Sequence, residues 1–229
     1  MKNNLIIILT IFFIPIILFG QTKSLNIPDR ITNNKNRVFT VFEKQKSIDF
    51  NIKLLSSDTS FDQFYRLSYS RQIIEVWKTD TLYSGQVINF TRSYVNYKDK
   101  DRKKSELFYN KINLPLDTAE IIFNRFKCLD AIPDMDKIKG WGIGCDGVTF
   151  SIESSTKKEY SLKSYWTPSA QEDSTLYKYE IISLVDFIYK DLNLYRHYNK
   201  FIETLPNGSY TDGFINMSIV GRKKVKKKK

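Results

Sequence analysis

Between residues 61 and 95 aromatic and β-branched side chains dominate: Phe64, Tyr65, Leu67 and Tyr69, then Ile73, Ile74, Val76 and Trp77, then Val87, Ile88, Phe90, Tyr94 and Val95. Enrichment of this kind, broken by short polar stretches, favours strands. It constrains the fold more than any other feature, because neighbouring strands must pair before they can bury anything. The stretch 78–85 reads as a hairpin connection. Residues 107–114 return to strand character after a nearly all-charged run, 98–104, which reads as a solvated loop. Residues 38–42 are an earlier strand candidate.

Helical signals begin at Pro115. Asp117 is placed to accept a backbone N–H as N-cap, and Glu120, three residues on, has the spacing of a capping box. Ile122, Phe126 and Leu129 then recur at helical spacing and are expected to face a sheet, with the helix stopping before Pro133. Residues 148–154 and 159–166 read as adjacent strands joined by a turn at 155–158. Thr167 followed by Pro168 is a helix-entry pair. A helix is expected over 174–192, with Leu176, Tyr179, Ile182, Val185, Ile188, Tyr189 and Leu192 on one face, widened by Ile181, Leu184 and Phe187. A shorter helix over 195–205 ends before Pro206, and 214–220 reads as a final strand. This order predicts an α+β fold: a mostly antiparallel sheet packed by two or three helices, in a single domain over residues 37–221.

The two ends have a different composition. Lys2 precedes an apolar run over residues 5–19, broken in polarity only by Thr10 and ending at Gly20 and Gln21. A charged start, an apolar stretch and a small residue at the boundary make residues 1–20 a signal peptide. A membrane anchor would need roughly 20 apolar residues, and this run is shorter and holds Pro15. The Phe-Gly-Gln ending and the Asn, Lys and Ile bias resemble export signals of Bacteroidota. That resemblance implies a periplasmic or extracellular destination. Residues 21–36 form a polar N-terminal arm, and no membrane span is expected once the leader is removed. The formal charge of +11 is concentrated in the tail, residues 222–229, RKKVKKKK. Taking its seven basic groups and Lys2 from the 36 basic residues leaves 28 against 25 acidic ones, so the domain itself is nearly balanced.

Chemistry-bearing motifs are sparse. Cys128 and Cys145 are the two cysteines, and export favours a disulfide between them, which would stabilise by roughly 3 kcal/mol in the chain-entropy picture. Trp141, Asp146, Tyr165 and Trp166 form the candidate ligand surface, a platform for a sugar or peptide. The competing reading is that these rings fill the core of a small domain. Asp146 and Glu153 sit at opposite ends of one strand, over ~20 Å apart at roughly 3.3 Å per residue, too far for a paired acid and base. Glu153 alternates in phase with Thr149 and Ser151 and is expected on the wetter face. Asp134 and Asp136 lack the ligand number and spacing of an EF-hand, and neither a metal nor a cofactor is expected. His197 reads as a surface or internally satisfied histidine. The sequence holds no G-x-S-x-G, H-E-x-x-H or P-loop.

From Trp141 to Trp166 the chain runs W-G-I-G-C-D-G, then Ile152-Glu153, then S-Y-W-T-P. Read with the helix after it, over roughly Trp141 to Leu192, this region resembles a family of exported α+β proteins of Bacteroidota that carries no assigned activity. The resemblance implies a shared fold and transfers no catalytic residue. The resulting expectation is an exported, non-enzymatic binding or envelope-associated protein. Two other readings stand beside it: a hydrolase of envelope polymers acting through carboxylates dispersed in sequence, and an inhibitor or immunity-type partner of another exported protein. The basic tail suits an anionic envelope component through counterion release, and nucleic acid is not an expected partner of an exported chain.

Overall fold

Two tight hairpins build the centre of the sheet. Strand β2 (Gln63–Tyr69) turns into β3 (Gln72–Thr79) at Ser70, which adopts φ 51°, and β3 turns into β4 (Leu82–Ser93) at Asp80, with φ 53°. Two-residue connections of this kind call for left-handed backbone, which short polar side chains tolerate. Pairing continues to Thr79 opposite Leu82, so the connection expected over 78–85 shrinks to its tip. The computed structural model describes residues 23–28, 36–94, 105–144, 146–211 and 216–220. The expected leader, the charged run 98–104 and the basic tail lie outside the described residues.

A third hairpin joins β6 (Thr149–Thr156) to β7 (Glu159–Trp166), with the Thr156 hydroxyl accepting the amides of Lys158 and Glu159. The strand order is β1-β7-β6-β2-β3-β4-β8-β9, with β5 (Leu107–Asn113) also paired to β4. Edge strand β1 (Ser24–Asn26) runs parallel to β7, while the other described pairings, including β8 (Gly208–Thr211) with β9 (Asn216–Ile219), are antiparallel. With four helices among the described residues, α1 (Asn36–Phe50), α2 (Leu116–Lys127), α3 (Lys178–Asp191) and α4 (Leu194–Thr204), this is the expected single α+β domain with a mostly antiparallel sheet. Among the described residues no helix is long and apolar enough to cross a membrane.

Alternation along the strands gives the sheet two covered faces. One presents Tyr65, Leu67, Ile74, Val76, Val87 and Ile152 to α2 and α3, which answer with Ile122, Phe126, Ile181, Leu184 and Ile188. Gly85 makes the fit close, because a Cβ there would lie 2.9 Å from the Glu75 carbonyl oxygen and 3.0 Å from Leu114 Cδ1. The opposite face carries Phe64, Ile73, Ile88 and Tyr160, which pack with Phe50 at the end of α1 and with Ile52, Leu55 and Phe61 beyond it.

Several local expectations change. Residues 38–42, expected as a strand, lie inside α1. From Glu43 onward, Glu43 and Phe50 are buried and Lys46 is partly so, a helical spacing set by the sheet below. The capping box is not formed. Pro115 takes the N-cap position, so Asp117 falls inside the first turn, where its carboxylate accepts the Thr118 amide at 2.7 Å. Its charge still complements the positive helix end. The helix expected from 174 begins at Lys178 because Tyr177 is left-handed at φ 63°. Its buried stripe is Ile181, Leu184, Val185 and Ile188, leaving Leu176, Tyr179 and Tyr189 exposed.

Candidate functional site

Trp141, Tyr165 and Trp166 do come together, largely as packing. Tyr165 is wholly buried, with its hydroxyl donating to the Pro133 carbonyl at 3.0 Å, so it is a core residue rather than part of a ligand surface. Trp141 packs on it with ring centroids 5.6 Å apart and donates its indole N–H to the Trp166 carbonyl at 3.1 Å. Trp166 lies against Gly144 and Gly147; a Cβ on Gly144 would come within 2.6 Å of the indole. The Gln171 amide ties this loop down, accepting from Gly142 N–H at 2.7 Å and donating to the Trp166 carbonyl at 2.9 Å. Asp146 is exposed beside it.

The other residues singled out from sequence have structural roles or lie apart. Asp134 accepts the Ser164 amide of β7 at 2.7 Å and the Asp136 amide at 2.9 Å, and Met135 Sδ receives the Trp166 amide at 3.1 Å. This segment therefore caps the outer edge of β7. Among the described residues no three His, Cys, Asp or Glu side chains converge on a metal position. His197 is half-buried on α4, where burial, then Lys200 and Arg196, lower its pKa. Cys128 carries a free, exposed thiol that donates to the Asn124 carbonyl at 3.3 Å. Its expected disulfide partner, Cys145, lies outside the described residues.

The densest polar arrangement was not foreseen. Arg66 on β2 has Glu75 of β3 and Glu153 of β6 as its register partners, so a minus–plus–minus row crosses three central strands. None of the three is more than 2 % exposed. Arg66 donates through Nε to Glu75 Oε1 at 2.6 Å, through Nη1 to Glu153 Oε2 at 3.0 Å, and through Nη2 to the Lys53 carbonyl at 2.7 Å. Lys46 of α1 donates to Glu153 Oε1 at 2.8 Å, and the Tyr160 hydroxyl reaches Oε2 at 3.4 Å. Glu153, expected on the wetter face, is therefore buried. The alternation with Ser151 holds, but α1 and Lys46 roof that face.

Burial alone would raise the Glu153 carboxyl, yet Lys46 and Arg66 outweigh it and hold the group below the ordinary carboxylate range. Glu43, on the same face of α1, goes the other way: burial pushes its carboxyl up, and the charge of Glu153 adds to the push. Glu43 Oε1 accepts the Ser56 amide at 3.0 Å, while Oε2 is buried with no hydrogen-bond partner among the described residues. Lys23, just before β1, donates to the Leu55 carbonyl at 2.9 Å and Ser155 Oγ at 2.6 Å, and burial lowers its pKa. Burial also places the Tyr160 hydroxyl well above its ordinary range, with Glu153 adding to it. Carboxyls driven apart in this way are the pattern of an acid and a base, but these two lie beneath α1.

The Glu75 end of the row lies beneath a surface cleft. Beyond Phe50 the chain turns at Asn51, left-handed at φ 48°, and Asn51, Ile52 and Lys53 form one wall of a cleft of about 330 Å³. Its floor is Phe64, Glu75, Trp77 and Gln86, from three adjacent strands. Trp77, half-buried, stacks on its cross-strand partner Phe64 at 5.3 Å and 6°. Glu75 is oriented from both sides, since Gln86 Nε2 donates to the oxygen that Arg66 leaves free. A second depression of about 310 Å³, between the sheet and α3, is mostly apolar; Tyr69 stacks there on Phe150 at 4.5 Å with Tyr189 edge-on. Protein-family models, curated proteins and solved structures yield no match to this chain.

Proposed function

We propose that this is an exported, non-enzymatic binding domain associated with the cell envelope, and that its ligand seats in the Trp77 cleft. One observation carries the reading: an aromatic floor and oriented polar groups from three strands converge on a single cleft, the composition of a small-ligand site. The support beneath is rigid, because Glu75 is held by Arg66 and Trp77 by Phe64. Binding to such a site loses little to side-chain ordering. The leader and its Bacteroidota-like boundary support export, and the basic tail adds attraction to an anionic envelope component.

The test is an NMR titration of the full chain with solubilised envelope fractions. The Trp77 indole N–H and the Gln86 side-chain amide should shift together while the apolar groove at Tyr69 stays unmoved. A spectrum unchanged at Trp77 by every fraction would overturn the reading. Turnover of the bound material would instead favour the hydrolase, for which the opposed pKa shifts of Glu43 and Glu153 are the supporting observation.

A further inference from the structure

Resting on that binding reading, we infer that the Trp77 cleft takes a neutral saccharide, with a pyranose ring lying on the indole and its hydroxyls directed at Gln86. The aromatic surface comes first. Trp77 is immobilised by near-parallel stacking on Phe64, so it offers a flat, preset ring, and the axial C–H face of a pyranose is the apolar surface that fits it. The cleft, about 330 Å³, is at the small end of ligand pockets and suits a single ring or the end of a chain.

Electrostatics selects among ligands that stack. A cation is disfavoured because the charge of Glu75 is already paired with Arg66 at 2.6 Å, and Lys53 lines the same cleft. Lys111 adds a further positive charge, donating to the Asn51 carbonyl at the rim at 2.7 Å. An anion would find Arg66 already paired with Glu75 and Glu153, and Lys53 with Asp58 at 3.6 Å. A neutral ligand rich in hydroxyls meets neither penalty. Glu75 stays beneath the ligand, at 1 % exposure and bonded by Arg66 and Gln86, while the half-buried Gln86 offers its remaining N–H and its carbonyl. Because its amide is oriented by Glu75, the hydrogen bonds Gln86 makes are directional. They would discriminate between ring epimers, whereas the indole alone would not.

The experiment titrates the intact protein, followed by the Trp77 indole N–H, with chitotetraose, maltotetraose, mannotetraose and a galactan tetramer, and in parallel with a neutral Phe-containing hexapeptide. One or more saccharides should shift Trp77. Followed by calorimetry, Trp77→Ala should weaken binding about tenfold or more, and Gln86→Ala should weaken it too, in protein whose far-ultraviolet circular dichroism shows the fold retained although the donor to Glu75 Oε2 is lost. If the peptide shifts Trp77 and no saccharide does, the ligand class is wrong while the binding reading stands. If neither these probes nor envelope fractions shift it, both fall. Saccharide binding that survives Trp77→Ala and Gln86→Ala in folded protein would also overturn the assignment to this cleft.

Discussion

Replacing Glu153 and Glu43, one at a time, with glutamine should have opposite consequences although both are buried carboxyls on the same side of the sheet. Glu153→Gln keeps the shape but removes the charge that faces Arg66 at 3.0 Å and Lys46 at 2.8 Å. Breaking one side of a buried ion pair costs about 3–5 kcal/mol. The Lys46 side chain is 29 % exposed, so its share is screened and the lower end applies. About 3 kcal/mol in a domain of this size corresponds to a melting temperature roughly 6–12 °C lower. Glu43→Gln should change stability at neutral pH by no more than about 0.5 kcal/mol, because an amide oxygen still accepts the Ser56 N–H and no ion pair is lost.

The pH dependence follows the same signs. Glu153 titrates lower in the fold than in the unfolded chain, so its contribution is present above the ordinary glutamate range and is lost as pH falls through the depressed value. Glu43 titrates higher in the fold, so its contribution is present below the ordinary range and is lost as pH rises through the raised value. Urea unfolding followed by tryptophan fluorescence, from acid to alkaline pH, should show Glu153→Gln flattening the acid limb and Glu43→Gln flattening the limb above it. Equal destabilisation by the two variants at neutral pH would show that both carboxyls are ionised members of one network and refute the reasoning.

Gly85→Ala should cost about 1–3 kcal/mol in chemical denaturation, because its Cβ would press on the Glu75 carbonyl and Leu114; a neutral outcome would mean that β3 and Leu114 do not approach Gly85 as closely as described. Gly144→Ala should displace the Trp166 indole and alter near-ultraviolet circular dichroism while leaving the far-ultraviolet spectrum nearly unchanged. Cys128, free and exposed, should react with a thiol reagent in the native protein; complete protection relieved only by reductant would instead establish the bridge to Cys145. Protein recovered from the envelope or medium should have the intact mass of cleavage after Gly20 or within two residues of it, and a full-length mass would restore the anchor reading.

Strand content and the helical stripe of Ile122, Phe126 and Leu129 were legible because local periodicity and burial agree there. The candidate site was not. Arg66 sits between Tyr65 and Leu67, Glu75 between Ile74 and Val76, and Glu153 follows Ile152. A lone charge inside an apolar strand run is the available signal, and three such charges of compatible sign are what a paired row requires. Alternation alone assigns them to solvent, and only the register places them side by side. Their burial depends in turn on α1, whose Val- and Phe-rich start imitates a strand. Trp141 and Trp166 drew attention by their rarity, yet rarity carries no information about whether a ring faces out. Trp77 lay unremarked among strand residues, and its exposure depends on where the layer ending at Phe50 stops.

The parallel pairing of β1 with β7 has a consequence for how the chain reaches this fold. Lys23 finds Ser155 across 132 positions, and Lys46 finds Glu153 across 107. A chain made from its N-terminus has neither partner until the β6–β7 hairpin exists, and closing contacts of such span is slow. Strand β1 must therefore wait, unpaired, while roughly two-thirds of the polypeptide is produced. A product cut short before Thr149 would contain α1, β2 and β3, with Arg66 on Glu75, yet leave Arg66 and Lys46 without Glu153 and Lys23 without Ser155. Completion of the fold is thus deferred to the arrival of β6 and β7, which leaves an extended interval during which the chain can still be threaded through a narrow passage.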